Sequence, residues 1–144
     1  GLIACCDIAI CQDDAQFCLS EVKLGLIPAV ISPYVIKAIG ERAARRYFLT
    51  AEIFDAHTAK QLGLIHQVTG DLQTALDKHL QSLVNNGPVA VKAAKQLIND
   101  VAGKEIDDAL IELTAERIAR IRVSEEGQEG LTAFFEKRAP NWQK

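Results

Sequence analysis

Methionine is missing from the sequence altogether, tryptophan occurs once and aromatic residues make up only 6%. The chain opens on Gly1-Leu2-Ile3-Ala4-Cys5-Cys6, an apolar stretch without a charged leader or cleavage signal, and this start reads as a chain cut within a domain. No apolar run approaches membrane-spanning length, which excludes a transmembrane helix as the organising element. Charge of one sign is not in excess: the net value is -3, which argues against nonspecific nucleic-acid binding. The cysteines Cys5, Cys6, Cys11 and Cys18 form no C-x-x-C pair, and no histidine stands close enough to complete a zinc-type ligand set, so no metal is expected. With 49% hydrophobic and 24% charged residues the composition is globular. The thiols are expected to be buried small hydrophobes in a cytoplasmic protein.

What is present divides into a mixed front and a helical rear. Asp7 to Cys11 is a short apolar run suited to a strand covered on both faces, Gln12-Asp13-Asp14 to a turn, and Phe17-Cys18-Leu19 to a second strand. Ser32-Pro33 through Gly40 carries helix punctuation, with a cap, an early proline and a closing glycine. Glu41 to Thr50 predicts another helix, and Asp55 can cap a third ending at Gly63. Leu64 to Val68 alternates like an edge strand, with His66 facing solvent. From Asp71 onward the pattern is helical only. One stripe holds Leu72, Leu76, Leu80 and Leu83; Gly87-Pro88 breaks it; Val91, Ala94, Ile98 and Val101 form a second; Ile106, Ala109, Leu110 and Leu113 form a third.

The stretch from Gln16 to Pro28 sets one carboxylate, Glu21, between apolar neighbours Phe17, Leu19 and Leu24 to Ile27. Such flanks predict partial desolvation, which suits a proton carrier. The residues alone also allow a plainer role, a glutamate at the favourable start of a short helical turn capped by Ser20.

The run Ala4-Cys5-Cys6-Asp7-Ile8, then Ala15-Gln16-Phe17, Ser20-Glu21 and Leu24-Gly25-Leu26-Ile27-Pro28, followed by Leu49-Thr50, Ala59 and Gly63-Leu64, resembles the enoyl-CoA hydratase/isomerase (crotonase) superfamily. Within it, Cys18 to Glu21 and Pro28 to Pro33 look most like hydratases of branched, methylglutaconyl-CoA-type thioesters. The resemblance implies an α/β crotonase-like (ββα spiral) core portion over residues 1–69 and an α-helical C-terminal trimerisation and pocket-closing region over 70–144, the chain being predominantly helical. It places one family catalytic glutamate on Glu21 and the other on Gly1, which has no side chain. It implies substrate contacts at Ile27, Pro28, Ala29, Phe134 and Lys137, with Arg138 a further candidate for coenzyme A phosphates. The backbone donors that hold the enolate oxygen in the family come from strand ends upstream of residue 1. No cofactor is implied beyond coenzyme A as part of the acyl-CoA substrate, and the expected assembly is a homo-oligomer, a trimer or dimer of trimers. Three readings follow: a hydratase relying on Glu21, an isomerase or other thioester-enolate enzyme, and a noncatalytic oligomerisation fragment.

Overall fold

A computed structural model of the chain describes residues 1–143. It divides into two compact units, Gly1–Asp77 and the part from Lys78 onward.

In the first unit, strand β1 (Ile10–Gln12) pairs in parallel with β4 (Gln67–Thr69), and β2 (Gln16–Phe17) pairs antiparallel with β3 (Phe54–Asp55). The registers are Ile10 opposite Gln67 and Phe17 opposite Phe54. β1 begins later than Asp7 because residues Ile3–Cys5 coil into a 3-10 turn, closed by the Cys6 N–H donating to the Ile3 carbonyl at 3.1 Å. β2 stops at Phe17, ahead of the predicted Leu19, and β4 starts at Gln67, after the predicted Leu64. His66 is exposed as expected, but its ring is engaged. Nδ1 accepts from the Ala9 N–H at 3.1 Å while the His66 N–H donates to the Ala9 carbonyl at 2.9 Å, extending the β1–β4 ladder.

Helix α1 (Ser32–Thr50) joins the two helices expected on either side of Gly40. Gly40 takes φ 77°, a conformation costly for any residue with a Cβ, and the helix kinks there. Ser32 is the first helical residue rather than the cap, its hydroxyl donating to the Ala29 carbonyl at 2.9 Å. The inner face of α1 supplies Val35, Ile39, Ala44 and Tyr47 to a core completed by Ala9, Phe54, Ala59 and Ile65. Tyr47 lies 4.4 Å from Phe54 between ring centroids, and Phe54 stacks on Phe17 at 5.6 Å. Each large side chain in this cluster contributes about 1.5–3 kcal/mol through burial.

The thiols depart from expectation. Cys5, Cys6 and Cys18 are exposed, and only Cys11 is half-buried. Cys5 and Cys6 sit at the opening turn, where no second layer covers them within the unit, and Cys18 lies just past the end of β2. Burial, with Asp13 nearby, pushes the Cys11 thiol up from its ordinary value.

Asp55 caps α2 (Ala56–Gln61) as predicted, its Oδ1 accepting from the Thr58 N–H at 2.7 Å. Asp71 does the same for α3 (Leu72–Val84), accepting from the Thr74 N–H at 3.0 Å and from the Thr74 hydroxyl at 2.7 Å. These bonds to Thr58 and Thr74 hold both carboxyls below their ordinary value near 3.8. Because the folded-state values lie below the unfolded ones, the stabilisation is complete above the ordinary value and disappears as pH falls through the depressed ones. An Asp55→Ala/Asp71→Ala variant should therefore melt below the parent at neutral pH. That gap should close on acidification below about pH 3.8, as followed by circular dichroism.

The second unit is built from helices. α4 (Pro88–Val101), α5 (Asp108–Arg122) and α6 (Glu125–Glu136) pack on one another, and a 3-10 turn, Asn141–Gln143, follows. Pro88 occupies the first turn of α4, as its fixed φ favours. Asp107 caps α5, so Ile106, expected in its apolar stripe, lies outside the helix and is 87% exposed. Ser124 caps α6 by accepting from the Gly127 N–H at 3.1 Å. Arg117 of α5 pairs with Asp100 of α4 at 2.7 Å. Glu126 of α6 reaches the open N-terminus of α4, where Oε2 accepts from the Val89 N–H at 2.9 Å and Oε1 from the Ala90 N–H at 2.7 Å. The leucine stripe of α3 is only half covered: Leu72, Leu76, Leu80 and Leu83 remain substantially exposed, while Ala75 is buried.

Candidate functional site

Glu21 begins a 3-10 turn, Glu21–Leu24, four residues beyond the end of β2. Ser20 stands at the cap position without a side-chain hydrogen bond, so it does not cap through its hydroxyl. Gly25 closes the turn at φ 72°, a value that favours glycine, with its N–H directed to the carbonyls of Glu21 and Val22. The Leu26 N–H also donates to the Glu21 carbonyl, at 3.1 Å. The Glu21 carbonyl is thus held by the backbone donors that follow it.

The side chain is not. Glu21 is half-buried, and its Oε2 is buried without a hydrogen-bond partner among the described residues. A buried carboxylate oxygen left unpaired costs about 1–3 kcal/mol, so its retention points to a group reserved for something outside the chain. Ile27, Pro28 and Ala29 follow in the same loop, with Pro28 buried and Ile27 75% exposed. The Ala29 N–H donates to the Ile27 carbonyl at 2.8 Å and the Ser32 N–H to the Pro28 carbonyl at 2.9 Å, which ties the loop to the start of α1.

Phe134 and Lys137 belong to the second unit rather than to the one that holds Glu21. Phe134 is 76% exposed and meets Phe135 edge-on at 5.8 Å, which excludes a core role for this pair. Lys137 ends α6 at φ 54° with its side chain exposed. Arg138, a phosphate candidate by sequence, is already committed. Its guanidinium forks onto both Glu129 oxygens at 2.7 and 2.9 Å and reaches Glu136 at 2.7 Å, so it fastens the tail instead of awaiting an anion. Trp142 anchors the same tail by donating to the Asn85 carbonyl at 3.3 Å.

Two hollows open in the first unit. One of about 230 Å³ is walled by Gly1, Phe17, Leu19, Val35, Ile39 and Phe54, among others, and a more open one of about 360 Å³ by Ile8, Ile10, Cys11 and Phe17, among others. Both are largely apolar, and Glu21 lines neither. Among the described residues no three His, Cys, Asp or Glu side chains converge as metal ligands would. No helix among them is long and apolar enough to cross a membrane. Ile31, within the Pro28 to Pro33 run that carries part of the resemblance, lies against Gly1, a long-range contact that the sequence patterns did not show.

A half-buried carboxylate thus opens a short 3-10 turn beside an apolar loop, four residues past a short strand. The family profile described as enoyl-CoA hydratase/isomerase matches residues 1–144, and the chain belongs to that family. The crystal structure of an enoyl-CoA hydratase from Shewanella pealeana is 57% identical, superposes with a TM-score of 0.94, and covers 98% of this chain and 53% of that one. A mitochondrial Δ(3,5)-Δ(2,4)-dienoyl-CoA isomerase from Dictyostelium discoideum is 34% identical across 96% of this chain and 48% of its own length. A short-chain-enoyl-CoA hydratase from Clostridium acetobutylicum is 32% identical across 92% and 52%, respectively. The chain spans about half the length of the curated relatives it matches. The crotonase-like fold expected from the sequence is shown by these likenesses, with helix predominating.

Proposed function

We propose that this chain carries the proton-transferring carboxylate of an acyl-CoA hydratase, with Glu21 adding water to a branched 2-enoyl-CoA of the methylglutaconyl type. The observation that carries the reading is the buried, unpartnered Oε2 of Glu21 in a chain of this family. Hydration needs a base at the water and an acid at the α-carbon, and one carboxyl can serve both in turn. Glu21 takes a proton from water as the water oxygen bonds to the β-carbon. The π electrons move toward the thioester oxygen, and the carboxylic acid so formed returns the proton to the α-carbon. Backbone donors stabilise the intervening enolate oxygen. In this reading those donors come from the family segment that precedes residue 1.

Ile27, Pro28 and Ala29 would border the acyl group, and the bulk of the Ala29-Val30-Ile31 run suits a branched or carboxylated chain. Phe134 and Lys137 would meet the coenzyme A portion, in a homotrimer or dimer of trimers located in the cytoplasm. The reaction draws on no cofactor beyond coenzyme A itself.

The experiment follows enoyl-thioester ultraviolet absorbance with a methyl-branched glutaconyl-CoA, on the chain extended through the family's N-terminal segment, and identifies the product by chromatography. A hydroxyacyl-CoA product is expected. Migration of the double bond without water uptake would establish the isomerase reading. Binding of acyl-CoA with the double bond untouched would overturn both.

A further inference from the structure

Helix α5 is apolar along two sides. Leu110, Leu113 and Ile121 are half-buried, and Arg117 reaches Asp100 of α4 from the same side. A second row, Asp108, Ile111, Ala115, Ile118 and Arg122, recurs at spacings of three and four and so shares another face of the helix. All five are exposed, Ile111 at 56% and Ile118 at 63%. The row is symmetric in its apolar residues about Ala115 and opposite in charge at its two ends. The flanks repeat this polarity, with Glu112 in the acidic half and Arg120 in the basic half, both exposed. Among the described residues neither Asp108 nor Arg122 has an ion-pair partner. An acid at the start and a base at the end also favour the helix itself, which accounts for the charges but not for the isoleucines between them.

We propose that this face of α5 is a docking surface for a second copy of the chain, packed antiparallel across a two-fold axis at Ala115. Antiparallel pairing brings the acidic end of each helix to the basic end of the other, Asp108 to Arg122 twice over, whereas parallel pairing would set like charges together. Ile111 and Ile118 of the two copies interleave on either side of the axis. The methyl of Ala115 lets the helices approach to about 8 Å at the centre. A helix of fifteen residues is about 22 Å long, so the contact is small and the pairing of single chains weak. A trimer alone contains no two-fold axis, so the pairing selects the dimer of trimers from the assemblies named above, and in that respect it rests on the reading given there.

The test is sedimentation equilibrium of the N-terminally extended protein over a range of concentrations. A mass that rises to an even multiple of one chain is expected, and Ile118→Asp should halve it while the circular dichroism stays that of the parent. Asp108→Arg and Arg122→Asp should each weaken the pairing about tenfold at low salt, because each sets like charges face to face. The double variant should recover the pairing, since every facing pair is then opposite again. These exposed end positions keep the test decisive if Ile118→Asp folds poorly.

A single chain or an odd multiple at every concentration would overturn the proposal, as would an even mass that none of the variants changes. Single reversals that weaken the pairing without recovery in the double variant would overturn the antiparallel arrangement. A lower melting temperature for Ile118→Asp at unchanged mass would show that the face is covered from within the chain, which also overturns it. An even mass that depends on α5 but contains no trimer leaves the docking surface in place and removes the trimer from the function proposed above.

Discussion

Glu21→Gln should abolish turnover of an enoyl-CoA substrate by the N-terminally extended protein while leaving its stability unchanged or slightly raised. The rate loss is expected at about 10⁴-fold, the upper end for removing a positioned acid or base, because here one group serves both proton transfers. That loss corresponds to roughly 5.5 kcal/mol of transition-state stabilisation. The stability side follows from the hydrogen-bond inventory. Among the described residues Oε2 has no partner to lose, and an amide is cheaper to bury than an unpaired carboxylate oxygen. Parallel measurement of kcat/KM and of the melting temperature separates the two effects. A variant that lost stability and activity together would instead mark Glu21 as the helix-start glutamate that the residues alone also allow.

Gly127→Ala should destabilise the second unit although it exchanges glycine for the best helix former. In an open helix this change gains up to about 1 kcal/mol. Here the added methyl would run into the Ile121 carbonyl and approach the Arg122 carbonyl oxygen to 3.1 Å, both of them backbone atoms at the α5 end of the turn into α6. Backbone gives way far less than a side-chain tip, so the balance should reverse to a loss of about 2 kcal/mol. Gly127 also donates its N–H to the capping Ser124 hydroxyl, so any shift that relieves the collision stretches the cap. Denaturant unfolding of the two proteins compares them directly, and a midpoint at or above the parent's would show that the turn has slack.

Local chemistry was legible where a residue acts on its own neighbours. Asp55 before Thr58 and Pro88 after Gly87 each announce a helix boundary, and each boundary lies there, whereas Gly40 between two apolar runs marks a kink within α1. Strand limits were not, because β1 to β4 are two or three residues long and are set by pairing partners 37 to 57 positions away, against which a five-residue apolar run carries little weight. The cysteines misled for a related reason: an apolar preference says that a thiol can be buried, not that a neighbouring layer exists to bury it. At the site, the apolar flanks of Glu21 foretold its half-burial. They could not foretell that one oxygen is left without a partner, nor that Ile31 closes over Gly1, since both depend on how distant segments meet. Arg138 read as a free cation because its partner Glu129 sits nine residues away, beyond any simple helical spacing.

The seat of Glu126 on α4 bears on the order in which the protein can mature as it is made. An isolated helix of fourteen residues is marginal in water, and the N–H groups of Val89 and Ala90 find their carboxylate 37 and 36 residues later in the chain. On the ribosome, α4 therefore emerges long before its own terminator. Until Glu126 has cleared the exit tunnel the helix can fray from its proline end, and a chain released too early would leave it that way. The second unit is consequently completed late and as a whole, with its last helix supplying the lock for its first.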